Sequence, residues 1–561
     1  MAWWRYSVAL ILLATIAVPA AMPFVDLLTR SEGWQAWTEG ERLLSLAGNT
    51  VRLVVGTLTL VLPVGTAAAV LLVRTDLPLR RGLRFLTLLT LFIPLPLFTS
   101  AWQAALGTGG WFPVAVWSTP APGDPDIAAT GIAWKPWAQG IGAAIWVHAV
   151  AGLPWVIVLV GQGLCWVERE LEEDALTVVP SWQVLLWVTL PRCRAAIFVA
   201  GLWVALMATS EITVTDMMQV RTFAEEIYNQ LVTGNQAALA HEVAVSLPPV
   251  LITWGLMLWA TRRWERTLPP LDALWTEPRL FQLGWMRWPL AVGAVATVAL
   301  LIGIPVASLI WKCGLSGNPQ AWSVEVAASH LANVFRVRSG MVFQSCLLAA
   351  LSGVATAGLG LVVSWLALGS RWFHALGLGL MAMVWAFPGP LIGIGLKQTI
   401  ALIMDWIPAY PVAAALYYGP SPLPALWAHM MRFFPCAVAV LWPVVRLLPP
   451  ELHDAARVDG ARPHQELWYL ILPLTAAVCV RAGLAVAILS LGELGAGKLV
   501  ATPGSQTFAH EVFTQMHYGV TNDLAALCLV LLTMVGLGAC LFAAGRVVRS
   551  WWEAKSVVGS P

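Results

Sequence analysis

The sequence predicts an all-α polytopic membrane protein of about twelve transmembrane helices, arranged as two parallel repeats of about six. Three observations carry this expectation. Apolar runs long enough to cross a bilayer recur along the whole chain, basic residues concentrate in alternate connections, and features of the first half return in the second at near-constant offsets.

Hydrophobic residues make up 59% of the 561 positions and charged residues 11%, with a mean hydropathy of +0.75. A soluble chain of this length needs far more charge to cover its surface. A net charge of +2 gives no basis for a nucleic-acid partner. The runs are continuous, not alternating, so they predict helices and not a barrel. Crossing the apolar core takes about 20 helical residues. The spans fall near 7–28, 50–73, 83–106, 139–164, 192–214, 243–260, 288–311, 341–368, 373–398, 422–445, 474–497 and 521–545. The first run, behind Arg5, is longer than a signal-peptide core and continues through Pro23-Phe24, so a retained helix is expected.

The connections between spans set the orientation. With the N-terminus inside, 20 of the 32 cations fall on the inner side. They include Arg74, Arg80, Arg81 and Arg84, then Arg169, Arg192 and Arg194, the run from Arg262 to Arg287, and Arg446, Arg457 and Arg462. Both termini are therefore expected on the cytoplasmic side. Residues 107–138, with Asp124 and Asp126, and residues 399–421 read as outer loops. The chain divides into an N-terminal half, 1–262, a cytoplasmic linker, 263–287, and a C-terminal half, 288–561.

Tryptophan is abundant, with 32 residues. Trp3, Trp4, Trp102, Trp111, Trp264, Trp288, Trp311, Trp372, Trp551 and Trp552 flank the runs and read as an aromatic belt at the headgroups. The eight Cys and nine His show no metal-ligand spacing, so no metal site is expected.

The repeat is visible residue by residue. Trp146-Val147-His148 and Pro154 match Trp427-Ala428-His429 and Pro435 at an offset of 281. Leu190-Pro191 matches Leu472-Pro473, and 20 residues after each proline stands an acid, Glu211 or Glu493. Thr222 to Gln230 resembles Thr507 to Gln515, and Pro94 and Pro96 match Pro388 and Pro390. An even number of spans per copy gives both copies the same orientation.

The inner loop after the tenth span carries the most information. Pro449 and Pro450 end one helix and pre-set the next. Glu451 and Asp454 suit the first turn of a short helix. Ala455 and Ala456 keep one face thin, and Gly460 permits a turn. The product is a charged knob suited to a groove on a partner. This segment resembles the EAA loop of permeases in ATP-binding-cassette importers, whose pattern is E-A-A, three residues, G, nine residues, I-x-L-P. Asp454-Ala455-Ala456, Gly460, Leu470, Leu472 and Pro473 stand at those positions, with Asp for Glu and Leu for Ile, and Asp459 and Ala461 flank the glycine.

The first-half loop departs from the pattern. Counting back from Pro191 puts Glu172-Glu173-Asp174 at E-A-A and Val178 at the glycine; pairing Glu173-Asp174-Ala175 instead needs a one-residue deletion. The phrases around Glu211 and Glu493 are similar to the fused two-half permeases of the iron(III) and thiamine class. The resemblance implies a type I importer permease in a bacterial inner membrane. It implies two copies of an ATP-binding subunit docking on the two loops, and a solute-binding protein delivering substrate from outside. ATP and magnesium would belong to that ATPase, with no cofactor in this chain. Iron(III) is the first substrate implied, with thiamine or a polyamine next.

Gly492 to Lys498 fits G-x-x-x-x-G-K but lacks the flanking strand and the Ser or Thr of a phosphate loop, so the chain is read as a transport subunit, not an enzyme. Glu211 and Glu493 are candidates for the translocation pathway, because a charge at membrane depth is costly and faces a cavity by default. His148 and His429 join them as a matched pair. Twelve spans in two parallel halves also fit a secondary active transporter. A membrane enzyme has no clustered nucleophile, base or metal ligand to support it.

Overall fold

The structure is a computed structural model that describes residues 2–29, 31–107, 116–117, 133–134, 139–232, 236–267, 280–317 and 321–558; within these ranges the side chains of residues 31–32, 116–117, 133–134, 231–232, 236–239, 264–267 and 544–558 are not described. Asp124, Asp126 and Trp111, and the side chains of Trp264, Trp551 and Trp552, therefore lie outside the described set.

Helix accounts for 85% of the structure, and the protein is an all-α polytopic membrane protein. Ten helices are long and apolar enough to cross a bilayer, and two further helix pairs qualify when each bent pair is taken as one span. The helices are α1 (Ala2–Thr29), α2 (Gly40–Arg74), α3 (Arg80–Leu91), α4 (Leu95–Leu106), α5 (Ile141–Cys165), α6 (Arg169–Leu176), α7 (Ser181–Ser210), α8 (Thr213–Met217), α9 (Phe223–Val232) and α10 (Gln236–Thr267). The second half of the chain follows with α11 (Gly284–Cys313), α12 (Val324–Ala367), α13 (Arg371–Ala386), α14 (Gly389–Trp406) and α15 (Leu423–Arg446). It ends with α16 (Pro450–Val458), α17 (Pro463–Ser490), α18 (Gly497–Val500), α19 (Phe508–Met516) and α20 (Asn522–Val558).

Each expected span coincides with a helix or a bent pair, but two are not straight. The third bends by 105° between α3 and α4, and the ninth by 112° between α13 and α14. The cause is local. Pro94 and Pro388 adopt extended backbone, at φ −70°, ψ 149° and φ −58°, ψ 147°, and begin new helices. Pro96 and Pro390 follow at helix starts, where a missing N–H is tolerated. The spans expected at 192–214 and 474–497 stop earlier, at Ser210 and Ser490. Other interruptions are mild. π-turns sit within α1 (Leu13–Ala17), α7 (Leu185–Thr189), α11 (Ala299–Gly303) and α17 (Glu466–Ile471), and α12 kinks at Arg338. The outer loop expected at 399–421 is partly helical, since α14 runs to Trp406 and a short helix follows from Tyr410.

Packing does not follow chain order. Helix α1 lies against the second half of the chain. Arg5 donates to the carbonyls of Leu366 and Leu368 (3.1 and 2.7 Å), and Trp427 donates to the Thr15 carbonyl (2.7 Å). Helix α11 lies against the first half: Leu290, Ala291, Ala294 and Val298 pack with Leu72, Leu77 and Leu83. The first spans of the two halves are thus exchanged. Apolar side chains such as Leu10, Val51, Val292 and Leu537 stand more than half exposed, which is the surface that lipid covers. Trp102 is not in such a belt; it is buried, edge-to-face with Trp146.

The α1–α14 contact leaves no room for a side chain at Gly395, where an added Cβ would come within 1.9 Å of the Pro19 carbonyl oxygen. Gly395→Leu is expected to cost about 1–3 kcal/mol and to lower the thermal unfolding midpoint in detergent. Gly358→Ala on α12, where a Cβ meets nothing within 4 Å, is expected to leave it unchanged.

Candidate functional site

Two regions gather most of the residues that the sequence singles out: a largely apolar cavity where the helix breaks meet, which carries two carboxylates and a guanidinium, and two loops at the basic end of the molecule.

The cavity is about 190 Å³ and is lined by Pro94, Ser210, Glu211, Gly389, Arg432 and Glu493, among others. Each glutamate lies just past a helix end and caps the next short helix. Glu211 accepts from the N–H groups of Thr213 and Val214 (2.8 and 2.9 Å), the start of α8. Glu493 accepts from Ala496 and Gly497 (both 2.9 Å), the start of α18. Carboxylates suit helix N-termini, where N–H groups lack intrahelical acceptors. The loop carrying Glu493 also touches both bends. A Cβ on Gly492 would meet Pro94 at 2.3 Å, and one on Gly389 would meet Gly495 at 2.9 Å, so only glycine allows these approaches.

Arg432 on α15 completes the cavity. It donates to the Phe387 carbonyl at the second bend (3.0 Å) and to the Ser210 hydroxyl at the end of α7 (3.1 Å). It thereby ties the two halves of the chain together beside both carboxylates. Arg432 is a functional candidate without a match in the first half, where Ala151 stands. The available signal was a lone arginine inside an apolar run, which merits the same default reading as an intramembrane acid.

The matched histidines behave differently. His148 is buried, and its Nδ1 bonds its own helix at the Ala144 carbonyl (2.8 Å). His429 meets the Ser352 hydroxyl through Nδ1 (3.1 Å), and its Nε2 lies 3.6 Å from the Glu493 carboxylate, just beyond hydrogen-bond reach. Neither forms part of the cavity wall. Among the described residues, no group of three His, Cys, Asp or Glu could hold a metal ion.

Beside the cavity, whose wall includes Ile212 and Leu494, the two halves touch again. Ile212, Ala224 and Tyr228 pack with Leu494 and Phe513. Lys498 donates to the Tyr228 hydroxyl (2.6 Å) and sits over the Phe513 ring (4.3 Å). That places the lysine of the phosphate-loop-like segment in a protein contact, with no strand before it. Asp216 and His517 form an ion pair across the same seam (3.0 Å). The hydrogen bond to Asp216 raises the His517 pKa, against partial burial and the Lys498 charge. Burial instead pushes His510 nearby down to about 3.

At the basic end, the second loop forms α16. Its end is a left-handed cap: Gly460 has φ +73°, Ala461 N–H bonds the Ala456 carbonyl (2.9 Å) and Gly460 N–H the Arg457 carbonyl (3.1 Å). Asp454 is exposed and pairs with Arg457 (3.1 Å). Ala455, Asp459 and Pro473 are exposed, while Ala456, Ala461, Leu470 and Leu472 are half-buried. Val458, Trp468 and Tyr469 also stand exposed, giving the knob an apolar rim. Buried Glu466 pins it by accepting from Trp365 (3.3 Å) and bonding His453 (2.8 Å).

The first loop forms α6 and is held differently. Glu172, at an E-A-A position, is fully buried as the partner of fully buried Arg74 at the end of α2. Its other oxygen accepts from the Thr189 hydroxyl (2.6 Å). Glu173 pairs with Arg169 (2.8 Å); Asp174 and Pro191 are exposed and Ala175 half-buried. Helix α6 ends without a left-handed residue, since Leu79 and Gln219 are the non-glycine residues with positive φ among those described. Val178 therefore needs no glycine. The far end of the linker docks beside this loop: Phe281 N–H bonds the Arg74 carbonyl (2.7 Å), and Leu283 N–H bonds Asp76 (2.8 Å).

No protein-family model matches the chain, and no curated protein is similar enough to count as a relative.

Two outcomes are expected. Arg74→Met leaves a buried carboxylate without its cation and should cost about 3–5 kcal/mol, with Arg74→Met/Glu172→Leu recovering most of the loss in the same unfolding assay. The His517 pKa is raised, so its contribution is complete below the unfolded value of about 6.5 and is lost as pH rises through the folded value. Hydrogen-exchange protection of residues 212–219 and 508–518, corrected for intrinsic rates, should therefore fall as pH rises above about 6.5, and fall less in His517→Gln.

Proposed function

We propose that this chain is the permease of an ATP-driven importer, with its two halves enclosing a central path and its two basic loops docking onto separate ATP-binding subunits. The observation that carries the reading is α16 with its glycine-capped end, a thin helix bearing exposed Asp454 and a rim of Val458, Trp468 and Tyr469. Such a knob suits a groove on a partner. Its sequence spacing is that of the EAA loop of ATP-binding-cassette permeases.

Duplication is part of the proposal. The bends at Pro94 and Pro388 differ by only 7°, from 105° and 112°. Four of the five described π-turns pair off, in α1 with α11 and in α7 with α17, while the one at Ala414–Tyr418 has no counterpart among the described residues. The ion pairs Arg42–Glu226 (2.7 Å) and Arg338–Glu511 (2.9 Å) involve acids from matching segments. Two capped carboxylates at one cavity are further support. The orientation, with both termini and both loops in the cytoplasm, rests on the basic residues, and the bacterial inner membrane is what the resemblance to importer permeases implies.

The pathway passes the cavity of Glu211, Glu493 and Arg432. Two acids facing one guanidinium suit a cationic solute. Iron(III) is the first substrate proposed, then thiamine or a polyamine, delivered by a solute-binding protein. The Tyr228–Lys498 and Asp216–His517 contacts would close the path on the delivery side, and ATP-driven movement of the loops would open it.

Asp454→Lys and Gly460→Leu are expected to reduce ATP-driven uptake at least about tenfold while the ATPase keeps hydrolysing. Leu at position 460 is strained by the positive φ alone, because a Cβ there meets nothing within 4 Å. Val178→Asp in the first loop should have a smaller effect. Unaltered transport and ATPase docking in both second-loop variants would refute the assignment.

A further inference from the structure

A second feature has no place in the transport reading. An apolar groove of about 440 Å³ runs between α2, α3 and α5 on one side and α11 on the other, with Leu71, Leu83, Leu153, Leu290, Gly293 and Val298 in its walls. Helix α11 buries only 11% of its apolar window, so the groove opens toward lipid. Its basic end is unusual. Helix α3 opens with Arg80, Arg81 and Arg84, and α11 carries Arg287 two residues before Pro289 in the groove wall.

These cations are held at the mouth. The Arg84 Nε donates to the carbonyl of Leu72, itself a wall residue (2.7 Å), and Arg80 donates to the Thr75 carbonyl (2.9 Å). Arg81 and Arg287 are exposed. Arg84 is the helical neighbour of both Arg80 (i,i+4) and Arg81 (i,i+3), where like charges repel. The neighbouring acid, Asp76, is engaged with the Leu283 N–H (2.8 Å). Four guanidinium groups beside an apolar slot at a helix end match an anionic headgroup with an acyl chain below it.

We propose that this groove binds an anionic phospholipid, with an acyl chain between α11 and the α2–α3–α5 face and the phosphate among Arg80, Arg81, Arg84 and Arg287. The lipid would add to the apolar packing that fastens the first span of the second half to the first half of the chain.

The test is native mass spectrometry of the full chain after equilibration with phosphatidylglycerol or phosphatidylethanolamine. Wild type should retain phosphatidylglycerol preferentially. Arg81→Gln/Arg287→Gln removes two surface cations and should weaken that retention about 30-fold, leaving phosphatidylethanolamine unchanged. Arg192→Gln/Arg194→Gln, at the same end but away from the groove, should change nothing. Gly293→Leu, built where a Cβ meets nothing within 4 Å, should fill the slot and displace both lipids. Equal retention of the two lipids by wild type, a preference that survives Arg81→Gln/Arg287→Gln, or equal loss in the control pair would overturn the proposal.

Discussion

Inside a bilayer, a backbone group that loses its helical partner must find another within the protein. Four helix interruptions converge on one cavity here: the bends at Pro94 and Pro388 and the ends of α7 and α17. Much else follows from how they are satisfied. Glu211 and Glu493 take up the free N–H groups of α8 and α18. Arg432 takes the free carbonyl of Phe387. The polar side chains at this depth therefore complete the backbone and, by the same placement, line a cavity. A charge that caps a helix is also held in a fixed position, which is what a selective path requires.

The two basic loops show how one layout tolerates two solutions. In the second, a left-handed glycine ends α16, and a modest pair, His453–Glu466, anchors it. In the first, no glycine is present because no left-handed turn is made, and a fully buried Arg74–Glu172 pair does the anchoring. A buried pair holds position firmly only while both members remain. The described end of the linker adds to this side, through Phe281 and Leu283. The two loops therefore present different surfaces at the same end of the molecule. The exchange of α1 and α11 between halves works the other way, since each half is clasped by a helix of the other.

Much of the helical layout was legible in the sequence, because apolar length alone marks a span in lipid. Tandem prolines marked positions 94 and 388, yet the runs around them read as straight spans, since hydropathy carries no angle. The exchange of α1 and α11 was not legible: an all-round apolar helix does not state which neighbour it meets. For the cavity, the spacing of Glu211 and Glu493 from Pro191 and Pro473 was a usable signal. Arg432 was missed because position 151 of the first half is Ala, so no repeat flagged it. Glu172 read as an ATPase-coupling residue at an E-A-A position, but it is buried against Arg74, almost 100 residues away in sequence.

An ATP-driven importer and a secondary transporter differ in energy source. Uptake measured in proteoliposomes that hold the chain with its ATPase and binding protein separates them. An importer permease requires ATP inside, and its uptake persists when ionophores collapse every ion gradient. Uptake that continues without the ATPase and stops with the gradient would make the chain a secondary transporter instead.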